Sequence, residues 1–296
     1  MNMKCGIWMT GGALLTAWLA PVSFVQAADG DAPAPDKSHY HLFNPTPREL
    51  MREFNTDRPD KTESPYTLDA GHFQLEMDVL NYSFDRYNGL PNNTRVESVA
   101  MAPVNLKIGL RDNVDFQLVL QTYNSVRTRD SVTGVTQQSG FGDVISRLKI
   151  NLWGNNGGPT ALGLLPYVKL PTSQDHLGNS SVEGGLIVPL AVQLPGGFGM
   201  GLMTEVDFNR DGSGRGHHPE FVNSITFNHD LVGNLGGYVE FFSSVSTERG
   251  SGWVGTVDLG LTYALTKNIQ LDAGVNIGVT RAADDVNPFL GISFRF

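Results

Sequence analysis

One cysteine, Cys5, occurs in 296 residues. It sits too near the N-terminus to serve the rest of the chain, so a disulfide framework and a cysteine-based metal site are both excluded. Long apolar runs are as scarce. The run Ile7–Ala20 is about 14 residues, short of the ~20 that a spanning helix needs, and no other run comes near that length. Basic charge is also thin: 21 Lys and Arg stand against 30 Asp and Glu, for a net charge of −9. An acidic chain without a basic stretch repels nucleic acid, so no nucleic-acid partner is expected.

The short apolar run has another use. Lys4 precedes it, and Val25-Gln26-Ala27 follows it as a small-residue cleavage site, so residues 1–27 read as an export signal. Residues 28–69 read as an N-terminal extension. Its first part, Ala28–Lys37, is rich in Pro, Ala and acidic residues. A Pro-led stretch, Pro47–Phe54, is expected to form two helical turns.

Beyond the extension the sequence alternates. In Gly71–Phe84 the side chains Phe73, Leu75, Met77 and Val79 are apolar, and His72, Gln74, Glu76 and Asp78 are polar or charged. Such alternation gives a strand one apolar and one polar face. A soluble half-buried strand alternates as well, so the repetition of the pattern carries the argument. Twelve such segments fit residues 70–296: 71–84, 96–110, 114–123, 140–153, 160–170, 183–194, 198–208, 220–228, 235–245, 253–265, 269–279 and 288–296. The connections alternate too. Those at 111–113, 154–158, 195–197, 229–234 and 266–268 are tight, whereas most of the others, such as Asn124–Ser139, are long and polar. An even strand count with short turns at one end and long loops at the other is the pattern of a closed antiparallel transmembrane β-barrel of the bacterial outer membrane. A soluble sandwich has no reason to sort its loops in this way.

Lipid then dictates orientation. Unpaired backbone groups are costly in hydrocarbon, so the sheet closes, with its apolar phase toward lipid and its polar phase toward the lumen. Phe198, Tyr263, Phe294 and Phe296 would lie near the periplasmic interface and Phe208, Phe221 and Trp253 near the outer one, as two aromatic girdles. Pro103, Pro166 and Pro189 fall inside strands and predict bulges or kinks, because proline cannot donate a ladder hydrogen bond.

The segment Thr56–Thr67, TDRPDKTESPYT, followed by Ala70-Gly71-His72-Phe73-Gln74-Leu75-Glu76, resembles the hallmark of the outer-membrane transporter family labelled "MetA-pathway of phenol degradation". Gly140-Phe141-Gly142-Asp143 and Lys169-Leu170-Pro171-Thr172 are similar to further pieces of that family. The resemblance covers roughly residues 55–296. It implies an outer-membrane barrel with a transport role, sometimes tied to uptake of aromatic or hydrophobic compounds, without fixing the solute.

Twelve strands enclose a lumen between a filled interior and a wide aqueous channel. Its expected lining, and so the candidate constriction, is Glu76, Asp78, Lys107, Asp115, Arg147, Lys149, Lys169, Glu205, Asp207, Asp258 and Asp272. These charges could set up a transverse field or could fill the lumen with salt bridges. The segment in front of the first strand starts at the periplasmic mouth, and its alternating charges suit a polar lumen. Asp57, Arg58, Asp60, Lys61 and Glu63 are therefore candidate plug residues; a tail lying on the rim is the other reading.

Enzyme chemistry finds no support. No GxSxG, HExxH, P-loop or dinucleotide fingerprint occurs in a fitting context. His72 is the only histidine well placed on a strand, and His39-Tyr40-His41 and His217-His218 read as solvated pairs. No catalytic residue, cofactor or metal is expected. The sequence reads as an outer-membrane channel for passive passage of small molecules, with hydrophobic or aromatic compounds among the candidates. The alternative is a non-conducting barrel with a structural or surface-interaction role. The expected partners are the lipid bilayer and a small solute, and the oligomeric state stays open.

Overall fold

The computed structural model describes residues 35–88, 90 and 92–296, so the export signal lies outside the described residues. The described strands are β1 (Phe73–Asp85), β2 (Arg95–Met101), β3 (Val104–Arg111), β4 (Val114–Leu120), β5 (Tyr123–Asp130), β6 (Gly134–Gly140), β7 (Val144–Trp153), β8 (Thr160–Leu170), β9 (Glu183–Gln193), β10 (Gly199–Arg210), β11 (His217–Val232), β12 (Leu235–Ser246), β13 (Val254–Thr266), β14 (Ile269–Gly278) and β15 (Val286–Arg295).

They form one antiparallel sheet that closes on itself, because β15 pairs with β1 as well as with β14. Three barrel strands are broken in two. The pairs β2 with β3, β4 with β5 and β6 with β7 each act as one strand, so the fifteen segments make a twelve-stranded barrel. The inner parts β3, β4 and β7 pair around the wall, and the outer parts β2, β5 and β6 continue above it as a three-stranded flap.

The flap corrects the expected loop Asn124–Ser139. Most of that stretch is the hairpin β5–β6, with Val126↔Gln138 and Thr128↔Thr136 in register. Polar side chains on both faces hid it, since a strand that meets neither the hydrocarbon nor a core has no apolar phase to show. The expected strand 96–110 is interrupted at Ala102-Pro103, where Ala102 adopts a φ of 51°. At Pro166 and Pro189 the strands run on with no shift of register. The hydrogen-bonded ladder lapses beside them, between Arg147↔Tyr167 and Ile150↔Leu164 and between Leu162↔Leu190 and Leu165↔Ile187. The missing proline N–H is the physical reason. The two expected helical turns over Pro47–Phe54 shrink to one 3-10 turn, Arg48–Leu50, because the chain must extend from Met51 to enter the barrel.

Burial runs opposite to that of a soluble protein. Phe73, Phe208 and Trp253 are 46%, 52% and 50% exposed on the outer face, while the inward Lys149 and Asp258 are 0% exposed. Such inversion is what a sheet surrounded by hydrocarbon requires.

Candidate functional site

The segment Asn55–Thr67 runs inside the barrel, and the contacts of its side chains fix its place. Asp57 is clasped by Lys107 on β3 and Lys149 on β7, and Lys107 also meets Glu76 on β1. Strand alternation puts these partners side by side on the inner face, with Gln74↔Lys107 and Asp115↔Lys149 directly opposite in the ladders. The Asp57 carboxylate also accepts from the Ser64 N–H at 3.0 Å, which closes the segment into a turn.

The next residue binds a different wall. Arg58 spans two carboxylates, Asp78 on β1 at 2.6 Å and Asp272 on β14 at 2.6 Å, with a second nitrogen on Asp272 at 3.2 Å. Its guanidinium lies 5.7 Å from the centre of the Phe289 ring. A planar fork suits such a doubly bonded site better than a point charge does. Gly291 faces it from β15, and any side chain there would collide with the guanidinium.

The turn then reaches the far wall. Lys61 pairs with Asp258 at 3.1 Å, receives no more than partial cover, and lies 4.6 Å from the Phe242 ring centre. Glu240 on β12 accepts the main-chain N–H groups of Lys61 at 2.9 Å and Thr62 at 2.8 Å. The Thr62 and Ser224 hydroxyls are 2.6 Å apart. Glu63 meets Arg147 at 2.5 Å, and Asn151 donates to the Pro65 carbonyl at 2.9 Å. Asp60 has no ion pair among the described residues and faces Glu240 and Thr226. One short turn thus bridges β3 and β7 on one side to β12 and β13 on the other.

Other lumen charges pair with one another or with the chain beyond this turn. Lys169 pairs with Glu183 toward the outer end, and Asp207 accepts from the Tyr167 hydroxyl, with Glu205 beside it. Asp115 accepts the Leu68 N–H at 2.9 Å, just past the turn.

The reading of the strands as polar inside overlooked one wall. Leu165, Ile187, Met203 and Val222 point inward from β8 to β11 and pack together, with Tyr167 and Phe242 against them. The Glu63 N–H points at the Met203 sulfur, 3.4 Å away, so the segment lies on this apolar wall. Its signal was present in the sequence as doubled apolar residues, Leu164-Leu165 and Leu186-Ile187-Val188, where a one-faced strand would alternate.

The histidines do not gather into a reactive site. His72 has Nε2 2.7 Å from the Thr46 carbonyl oxygen and Nδ1 3.1 Å from the main-chain oxygen of Phe296, so it ties the extension to the barrel seam. At the outer end His218 lies between Asp211 and Glu248, Nδ1 3.1 Å from one and Nε2 4.0 Å from the other. His218, on β11, thus links the two outer loops that carry Asp211 and Glu248, and one ligand atom from each of the three lies within 4.8 Å of the others.

A closed barrel with lipid-facing apolar side chains and a polar interior is the fold of bacterial outer-membrane barrels, and it places the protein in that membrane. The chain belongs to the family described as "Putative MetA-pathway of phenol degradation", whose model matches residues 56–296. Among solved structures, the COG4313 outer membrane channel from Pseudomonas putida F1 superposes with a TM-score of 0.56 at 12% identity, over 82% of this chain and 100% of that one. The NanC porin gives 0.46 at 10% identity, over 74% and 98% of the two chains. The CymD monoaromatic hydrocarbon channel gives 0.43 at 9% identity, over 76% and 87%. At such identities the likeness is one of fold. No curated relative matches the chain.

Proposed function

We propose that the protein is a passive channel for small molecules whose selectivity is set by the segment Asn55–Thr67. The observation that carries this reading is the bridging of opposite lumen walls by one short turn, which leaves any solute to pass beside it. The side of that turn which water reaches is Lys61, 30% exposed, next to Phe242 and near Tyr167 and the apolar wall. An ammonium beside aromatic rings favours small aromatic solutes with a polar atom over sugars, since a ring can stack there while its polar atom takes the charge. The family and the fold agree with a channel; the solute class is the proposal's own step.

Liposome swelling tests it. Phenol-sized solutes should enter faster than sugars of similar mass, and Phe242→Ala should narrow that ratio severalfold while leaving heat-modifiable mobility intact. Deleting residues 30–66 should raise single-channel conductance in a planar bilayer. Equal conductance in a folded deletion would remove the filter role. Permeability to neither solute class would favour the second reading, a non-conducting barrel, for which the tight pinning of the segment is the supporting observation.

A further inference from the structure

The outer flap carries charge of the sign the chain otherwise lacks. Ladder partners share a face, so the side chains that point outward can be followed across the flap. Leu80 and its partner Leu290 are exposed to lipid, and Phe84, two steps on, is paired with Glu97. Glu97 is paired with Arg127, and one step farther out Arg95 is paired with Arg129. Gln137 and Val135 continue the same face on β6. Three arginines and one glutamate therefore lie together outward of Tyr82 and Tyr123, with Glu97 and Arg127 level with Phe84 and Arg95 and Arg129 one step beyond it, on a chain whose net charge is −9.

Like charges directly opposite across two strands stand with their Cβ atoms about 5 Å apart and destabilise the pair. No partner among the described residues offsets this one. Among the described residues, the side chains of Arg95 and Arg129 have no hydrogen-bond or ion-pair partner, and Arg127 has only Glu97 at 3.9 Å, with both side chains more than 40% exposed. The level matters as much as the sign. One ladder step beyond an outer aromatic girdle is the height of lipid headgroups, not of open water.

We propose that Arg95, Arg127 and Arg129 bind a phosphate of the phosphorylated glycolipid of the outer leaflet, with its acyl chains along Tyr82, Phe84 and Val99. A phosphate between Arg95 and Arg129 replaces their repulsion by two forked, charge-assisted hydrogen bonds. The glycolipid is the source assigned, because the patch lies beside lipid-facing side chains and away from the lumen.

The test uses the full chain in detergent with added bisphosphorylated lipid A, read by native mass spectrometry and by thermal unfolding. The wild type should retain lipid A and gain thermal stability from it. Arg95→Gln/Arg129→Gln should bind at least tenfold more weakly, gain no stability, and unfold later than the wild type when lipid is absent, since its repulsion is gone. Arg215→Gln/Arg249→Gln, in the outer loops, should behave as wild type. Millimolar inorganic phosphate should not displace the lipid. Undiminished binding by the double variant, an equal loss in the loop control, or displacement by inorganic phosphate would each overturn the assignment. Should the double variant fail to fold, Arg127→Gln serves, with severalfold weaker binding expected and wild-type binding overturning the proposal.

Discussion

The lumen segment grips two opposite walls with the same kind of bond in different surroundings. At one end Asp57, Lys107 and Lys149 are almost shut off from water, with side-chain exposures of 6%, 5% and 0%. At the other end Lys61 meets Asp258 with 30% of the lysine side chain exposed, although the carboxylate itself is buried. Charges in a poorly polarisable interior attract more strongly and are screened less by salt. Taking away one partner there also leaves an uncompensated buried charge, which is the larger penalty. The Asp57 end is therefore an anchor, and the Lys61 end is where the segment yields first. On the proposed filter role, the width would change from the β12–β13 side while the root stays fixed.

The sharpest way to break that contrast is Asp57→Ala. Breaking a buried pair costs about 3–5 kcal/mol. Glu76 remains on Lys107 and Asp115 remains opposite Lys149, so the low end, about 3 kcal/mol, is expected for docking of the segment. In barrels shown by gel mobility to be folded, trypsin should then cut after Lys61, and conductance should rise severalfold. A protected Lys61 with unaltered conductance would mean that the anchor lies elsewhere.

Arg58→Lys should fall between the two ends. The fork reaches Asp272 with two nitrogens and Asp78 with a third, and a single ammonium cannot hold both carboxylates. The loss is expected at about 2 kcal/mol, within the range of about 1.5–3 kcal/mol for one charge-assisted hydrogen bond. Trypsin should cut slowly after Lys61, and current traces should show added open–closed noise without a new mean level. Cutting as fast as in Asp57→Ala would place the anchor at Arg58 instead.

Much of this geometry can be read from residues alone, and the limits have physical causes. The alternation of Phe73, Leu75, Met77 and Val79 with polar neighbours marks the wall, because lipid on one side and water on the other punish any slip of phase. The flap is invisible by the same logic: at Val126–Thr136 both faces are largely polar and no apolar phase is enforced. The individual partners inside are a matter of register between distant strands. That Asp57 meets Lys149 rather than Arg147 depends on a one-step difference in how β7 pairs with β4, which no local pattern encodes. The apolar wall of Leu165, Ile187, Met203 and Val222 is legible only as a local failure of alternation, and that failure looks the same as a strand covered on both faces.

The smallest expected effect belongs to Lys61. Lys61→Met keeps the stem against Phe242 and removes the ammonium from Asp258, whose carboxylate still accepts from the Thr256 hydroxyl at 3.1 Å. Water reaches the Lys61 side chain but not the buried Asp258, so it hydrates the space the ammonium vacates, and the loss is expected at about 1 kcal/mol, the upper end for an exposed ion pair. Salt offers the same perturbation without a mutation. Raising ionic strength from about 0.1 M to about 1 M shortens the screening length from about 10 Å to about 3 Å, which should loosen the Lys61 end and leave Asp57 clasped. The wild type at high salt should therefore reproduce the conductance noise of Lys61→Met and show none of the proteolysis seen with Asp57→Ala. If high salt instead exposes the segment to protease, both ends are held alike and the hinge disappears from the mechanism.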